Sequence, residues 1–229
     1  MQQFADFQRI RRYGRLGQIL MYAGLGATLL AAVIAFLQPA YILIALLLML
    51  LGAPVSQIGT VLYNRYGRSP RVDEVLYESL KGLDERYGLF HYLLGTSHAL
   101  IGPSGAFALI PRFEEGILRW EGGVWSQELP PRRLRLGSGR KRLRRLDAKA
   151  CQEAEALQGA LDRLLGGNHD LEAKPLVIFL SNRSRLEAEE APYPAAHRKK
   201  LKETIRRLPR AKSLSPDEIR QLGERLQRL

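Results

Sequence analysis

Between Leu16 and Asn64 the chain carries no charged side chain, and Arg9, Arg11, Arg12 and Arg15 fence the run on one side as Arg65, Arg68 and Arg71 do on the other. A bilayer core about 30 Å thick takes roughly 20 apolar residues as helix, so the run suffices for two spans and is too long for one. Gln38-Pro39-Ala40 interrupts it near the middle. The sequence therefore predicts a transmembrane helical hairpin over 16–64, with spans at 16–37 and 41–63, behind a basic N-terminal segment, 1–15. A signal peptide has one short apolar region and no second span after a tight turn. Both flanks are basic and the turn is uncharged, which puts the N-terminus and everything after Arg65 in the cytoplasm. The expectation is an integral protein of the plasma (inner) membrane of a prokaryote, both termini cytoplasmic, with the lipid bilayer as its first partner.

Within the spans, Ala27, Ala31 and Ala35 repeat every fourth residue, as do Gly52, Ser56 and Thr60, and small residues at this spacing let helices approach closely in lipid. Neither span holds an ionisable residue to line a substrate or ion path, which argues against transport.

The net charge of +12 must be read against that hairpin. Six basic residues and one acid, Asp6, precede Pro70, so five of the twelve charges belong to the membrane flanks and seven remain for the rest. That surplus points to an anionic partner without specifying one. The single cysteine, Cys151, excludes an internal disulfide, and its helical context predicts a small buried hydrophobe.

After Ser69-Pro70 a helix is expected from Arg71 to Tyr87, stopped by Gly88, because Val72, Val75, Leu76, Leu80 and Leu83 keep helical spacing. The period then changes. Leu89–Leu94, Ala99–Ile101 and Ala106–Ile110 are short apolar runs broken by Gly95 and by Gly102-Pro103-Ser104-Gly105, and read as strands. Ile117–Trp120 and Val124–Gln127 flank Glu121-Gly122-Gly123, a hairpin signal. Residues 130–146 read as a basic connector, too polar to pack. A helix from Asp147 to Leu165, a buried strand at Leu176–Leu180 and two closing helices follow, the last with Ser215, Pro216 and Glu218 placed for a capping box. The soluble region, 70–229, is thus expected to be an α/β domain with a mixed sheet flanked by helices.

Several of these segments resemble a known family. The runs His98–Ile110, Gly116–Trp125 and Lys174–Phe179, with the alanine-rich helix from Asp147, look like the nuclease-related domain, or NERD. The resemblance covers residues 70–229 and implies a restriction-endonuclease-like fold. It also implies phosphodiester hydrolysis by acids that hold a divalent metal, Mg²⁺ by the chemistry of carboxylate ligands. In the family pattern an acid comes from the first helix, an aspartate stands before the His-hydrophobic strand, and an acid-x-lysine closes the strand after the glycine turn. Here those positions hold Asp73-Glu74, then Ser97, then Ile110-Pro111-Arg112. Isoleucine offers no ligand, and an arginine binds phosphate but does not serve as a base. No metal or other cofactor is therefore expected, and the domain reads as degenerate. The alternative is an active Mg²⁺-dependent nuclease in which Glu114 or Glu115 replaces the lost acids.

Two basic clusters remain. Arg132–Lys149 holds nine basic residues and one acid, and Arg140, Lys141, Arg142, Arg144 and Arg145 are its densest part. His197–Lys212 adds eight more Lys and Arg against Glu203. Such clusters beside a membrane suit nucleic acid or anionic lipid headgroups. The first lacks aromatic residues, so base stacking is not suggested. The histidines His91, His98, His169 and His197 show no metal-ligand spacing, and His98 is expected to pack or hydrogen-bond. The function expected is that of a membrane-anchored binding or scaffold protein.

Overall fold

The computed structural model of the protein describes residues 1–129, 139–166, 169–188 and 191–228. The chain divides into two compact units, one formed by residues 6–72 and the other by residues 1–5 with 73–229.

The first unit is a pair of helices, α1 (Phe7–Leu37) and α2 (Ile42–Tyr66), joined through a 3₁₀ turn at Pro39–Tyr41. The break at Gln38-Pro39 falls where the sequence puts it. α1 starts well before Leu16, capped by the Asp6 carboxylate, which accepts from the Arg9 N–H at 2.7 Å. Its basic first turns can be helical because long arginine stems lie along apolar surface while their heads reach water. The packing seam differs from the expected four-residue rows. The buried positions are Ile10, Gly14, Gly17, Gly24 and Ala31 on α1 and Ala45, Gly52, Gly59 and Tyr66 on α2, and all but Gly14 recur at every seventh residue. Ala27, Ala35, Ser56 and Thr60 only flank it, half-buried. A four-residue row drifts around a helix, whereas seven residues make nearly two full turns and keep facing the partner along the whole length. Contact is close enough that a Cβ on Gly24 would stand 2.4 Å from the Ser56 nitrogen, and one on Gly59 2.2 Å from that of Met21.

Both helices are long and apolar enough to cross a membrane, with mean hydropathy 2.2, and they are 11% and 17% buried over their most apolar stretches. They are therefore not the core helices of a globular body. Among the described residues every exposed large apolar side chain except Phe113 lies between Phe7 and Val61.

The second unit carries ten strands and four helices among its described residues. The strands are β1 (Gln2–Ala5), β2 (Gly88–His91), β3 (His98–Gly102), β4 (Gly105–Arg112), β5 (Gly116–Glu121), β6 (Val124–Glu128), β7 (Arg140–Arg142), β8 (Ala173–Phe179), β9 (Ser184–Glu187) and β10 (Ala195–His197). The helices are α3 (Val72–Leu80), α4 (Arg145–Leu165), α5 (Leu201–Arg207) and α6 (Pro216–Gln227). In place of one mixed sheet there are two, a six-stranded one ordered β1-β2-β3-β4-β8-β10 and a four-stranded one ordered β7-β6-β5-β9. Both are mixed: β1 and β2, β4 and β8, β8 and β10, and β5 and β9 pair parallel, and the other neighbours antiparallel. The buried face of α4, with Ala150, Ala154, Leu157 and Leu161, joins Trp125, Val177 and Phe179 in one core. Leu157 and Leu161 are fully buried, and each such side chain stabilises the fold by about 1.5–3 kcal/mol.

Three expectations need correction here. Residues 2–5 are not part of a free N-terminal segment: they add a parallel strand to β2, with Phe4 stacked on Phe90 at 5.1 Å and pressed against Gly223 of α6. The helix expected over Arg71–Tyr87 ends at Leu80, because Gly82 turns the chain at φ +90° and the Asp84 carboxylate then accepts from the Arg86 N–H at 3.0 Å. Residues 140–146 do not form a loose connector. Arg140–Arg142 is the edge strand β7, Leu143 and Leu146 are buried, and the Leu143 N–H donates to the Trp125 carbonyl at 2.7 Å. Charged side chains conceal such a strand from a periodicity reading, and they also keep a sheet edge from pairing with another chain. Residues 130–138, with Arg132, Arg133 and Arg135, lie outside the described residues, as do Gly167 and Leu229.

Candidate polyanion-binding edge and cleft

Strand β7 and the first turn of α4 present Arg140, Lys141, Arg142, Arg144 and Arg145 together, all exposed. Their backbone is held by the ladder to β6, in which Arg142 faces Ser126, Lys141 faces Gln127 and Arg140 faces Glu128. The start of α4 is fixed by a second device. The Trp125 indole N–H donates to the Tyr193 hydroxyl at 2.9 Å, and that hydroxyl donates to the Asp147 carboxylate. Burial first, and the hydrogen bond to Asp147 next, push the Tyr193 hydroxyl well above its ordinary pKa.

The five cations are not equivalent. Arg140 forms an ion pair with Glu121, and its guanidinium donates to the Ser126 hydroxyl at 3.2 Å. The hydrogen bond from Arg140 in turn holds the Glu121 carboxyl below the usual carboxylate range. Lys141, Arg142, Arg144 and Arg145 form no ion pair among the described residues. Arg140 thus belongs to the scaffold of the sheet, and the other four are available to a ligand.

Arg145 also lines a cleft of about 540 Å³, together with Arg112, Lys149, Gln152, Glu153 and Gly95. Arg112 lies at the end of β4 and pairs with Glu114 through two guanidinium nitrogens. Glu153, on α4, accepts from the Thr96 hydroxyl and, at 3.3 Å, from the Ser97 N–H. Of the positions singled out in the sequence, Arg112 lines this cleft and Ser97 is bonded to its lining residue Glu153. Ile110 does not reach it, being 1% exposed in the core. Glu74 is half-buried on α3 and is not part of the lining, while Asp73 beside it is buried. Glu115 pairs with Arg183 at 3.7 Å and is not part of the lining.

These residues do not fit a Mg²⁺ ion. Glu114 is engaged by Arg112, Glu153 gives one oxygen to Thr96 and Ser97, and Ile110 has no donor. Among the described residues no three His, Cys, Asp or Glu side chains group in a way that could hold a metal. What the cleft offers is guanidinium and ammonium groups, whose chemistry is the binding of phosphate oxygens.

Sequence reading missed Glu153 and Thr96, which stand 57 residues apart and carry no shared motif. It also missed that Lys149 joins Arg112. A signal for the second was present: Arg145 and Lys149 are spaced i, i+4 and so share one helix face. Cys151 is exposed, contrary to expectation, because it lies on the outer side of α4 next to the buried Ala150. The imidazoles of His91 and His98, cross-strand partners on β2 and β3, meet Nδ1 to Nδ1 at 2.8 Å in the core.

Compared with protein-family models, with curated proteins and with solved structures, the chain matches none. The class defined by the geometry is therefore stated by architecture alone: two apolar helices long enough to cross a membrane, followed by an α/β unit with two mixed sheets and a basic edge.

Proposed function

We propose that this protein is anchored in the membrane by α1 and α2 and holds a cytoplasmic, catalytically degenerate nuclease-like domain that binds a polyanion along β7 and the start of α4. The observation that carries the reading is the group of four exposed cations, without an ion pair among the described residues, on a sheet strand and helix start, continued by Arg112 and Lys149 in the cleft. Phosphate-rich nucleic acid and anionic lipid headgroups share the chemistry these groups recognise.

The topology has separate support. Residues 2–5 form a strand in the same sheet as the remainder of the second unit, so the chain leaves that unit after Ala5 and re-enters it at Asp73. Two spans return the chain to the face from which it left; one span would not. The basic residues at both ends of the hairpin support the assignment of that face to the cytoplasm.

The test uses the full chain in nanodiscs of zwitterionic lipid. Labelled duplex DNA and RNA bind without preference for sequence and remain intact in Mg²⁺ or Mn²⁺. Metal-dependent cleavage that is lost in Glu114→Gln or Glu153→Gln establishes the active-nuclease alternative instead.

A further inference from the structure

The second basic cluster of the sequence builds a site of its own. Lys199, Lys200 and Arg207 line a groove of about 1010 Å³ together with Arg119 on β5 and Arg185 on β9. Two carboxylates, Glu121 and Glu187, also line it, against these five Lys and Arg side chains. Both are engaged. Glu187 accepts from Arg119 at 2.8 Å and from Arg185 at 3.0 Å, and Glu121 is held by Arg140. Arg207 pairs with Glu203 at 2.5 Å, within one turn of α5. Lys199 and Lys200 are exposed and have no carboxylate partner among the described residues. A guanidinium has five donors and a planar fork, so a paired arginine still offers N–H groups to a second anion. The groove has hydroxyl donors in Ser184 and Thr204 and apolar lining in Leu186 and Ala196, and among the described residues no Phe, Tyr or Trp lines it.

We propose that this groove binds a short chain of linked phosphoryl groups, with Lys199 and Lys200 as its main contacts and Arg185 and Arg207 as secondary ones. The cations are spread from β9 to α5, and the groove is far larger than one tetrahedral oxyanion, which suits an extended anion with several phosphoryl groups. The one ring in the described lining is the imidazole of His197, tied by Nε2 to the Ser181 carbonyl and by Nδ1 to the Lys199 N–H, and without a Phe, Tyr or Trp platform for a base recognition is of the phosphates. The groove shares no lining residue with Arg140–Arg145, and the proposal is independent of the polyanion reading of β7.

The test is calorimetric titration of the full chain in zwitterionic nanodiscs with tripolyphosphate, orthophosphate and a nucleoside triphosphate, without divalent metal. Tripolyphosphate binds at near-physiological salt, the nucleotide matches it within about threefold, and orthophosphate is weaker by at least about tenfold. Lys199→Ser with Lys200→Ser lowers tripolyphosphate affinity by about tenfold or more, and Lys199→Arg with Lys200→Arg restores it. Arg142→Ser with Arg144→Ser leaves it unchanged, which separates this site from the β7 edge. Unchanged thermal melting of the unliganded variants shows that the fold is kept. The proposal is overturned if tripolyphosphate does not bind, if the serine variants bind it as the parent does, if the β7 variants lose it equally, or if the nucleotide binds more than about tenfold tighter.

Discussion

Replacing Lys141, Arg142, Arg144 and Arg145 by Ser is the most direct perturbation of the β7 edge. Arg140 is left in place because its ion pair with Glu121 and its bond to Ser126 tie β7 to the sheet. The four side chains removed are exposed, while the anchors Leu143 and Leu146 stay buried, so the fold should survive. Each phosphate neutralised on duplex DNA contributes about 0.9 to the slope of log affinity against log salt. With all four cations engaged the slope falls by at most about 3.6; with half of them engaged, by about 1.8. Across a fourfold rise in salt that is a difference between parent and variant of roughly 10- to 150-fold in lost affinity. Fluorescence anisotropy of a labelled duplex against nanodisc-held protein, at about 50 and 200 mM salt, reads the slope directly. Repeating it in nanodiscs containing anionic lipid ranks the two partners, since an edge that docks on its own bilayer is lost to nucleic acid. A slope change below about 1, with melting unchanged, refutes the assignment of the polyanion contact to this edge.

Other substitutions test the packing. Gly59→Leu places carbon where 2.2 Å separates a Cβ from the Met21 nitrogen, so it should separate α1 from α2 and lower resistance to SDS unfolding, whereas Gly26→Leu, with nothing within 4 Å, should not. Tyr193→Phe leaves the Trp125 indole and the Asp147 carboxylate without their shared partner and should cost about 1–3 kcal/mol in urea unfolding. Because the Tyr193 pKa is raised in the folded state, its contribution is fully present below about pH 10 and is lost as pH rises above it, so the parent should lose melting temperature in alkali more steeply than the Phe variant. Glu218 is held below the ordinary glutamate range by the Ser215 N–H, so its capping contribution is present above about pH 4.3 and lost as pH falls further; hydrogen exchange in α6 should rise on acidification, and Glu218→Ala should abolish that dependence.

What the sequence determined by itself is what depends on neighbouring residues. Two apolar runs separated at Gln38-Pro39, the Gly122-Gly123 hairpin and the Ser215–Glu218 capping box all appear where expected, because hydropathy, turn conformation and capping are set within a few residues. Tertiary structure decided whatever depends on distant partners. Gln2–Ala5 becomes a strand only because β2 offers an edge at Gly88–His91, and the ring of Phe4 finds Phe90 and Gly223 there. The seam of the hairpin follows the seven-residue positions because two helices must face each other over their whole length, and a single helix does not reveal which of its small-residue rows will do so. A run of arginines became an ordered strand because Trp125 and β6 supplied its hydrogen bonds and the core received Leu143 and Leu146. The meeting of Thr96, Ser97 and Glu153 was likewise hidden, since a hydrogen bond spanning 57 residues is created by the packing of α4 and leaves no local pattern.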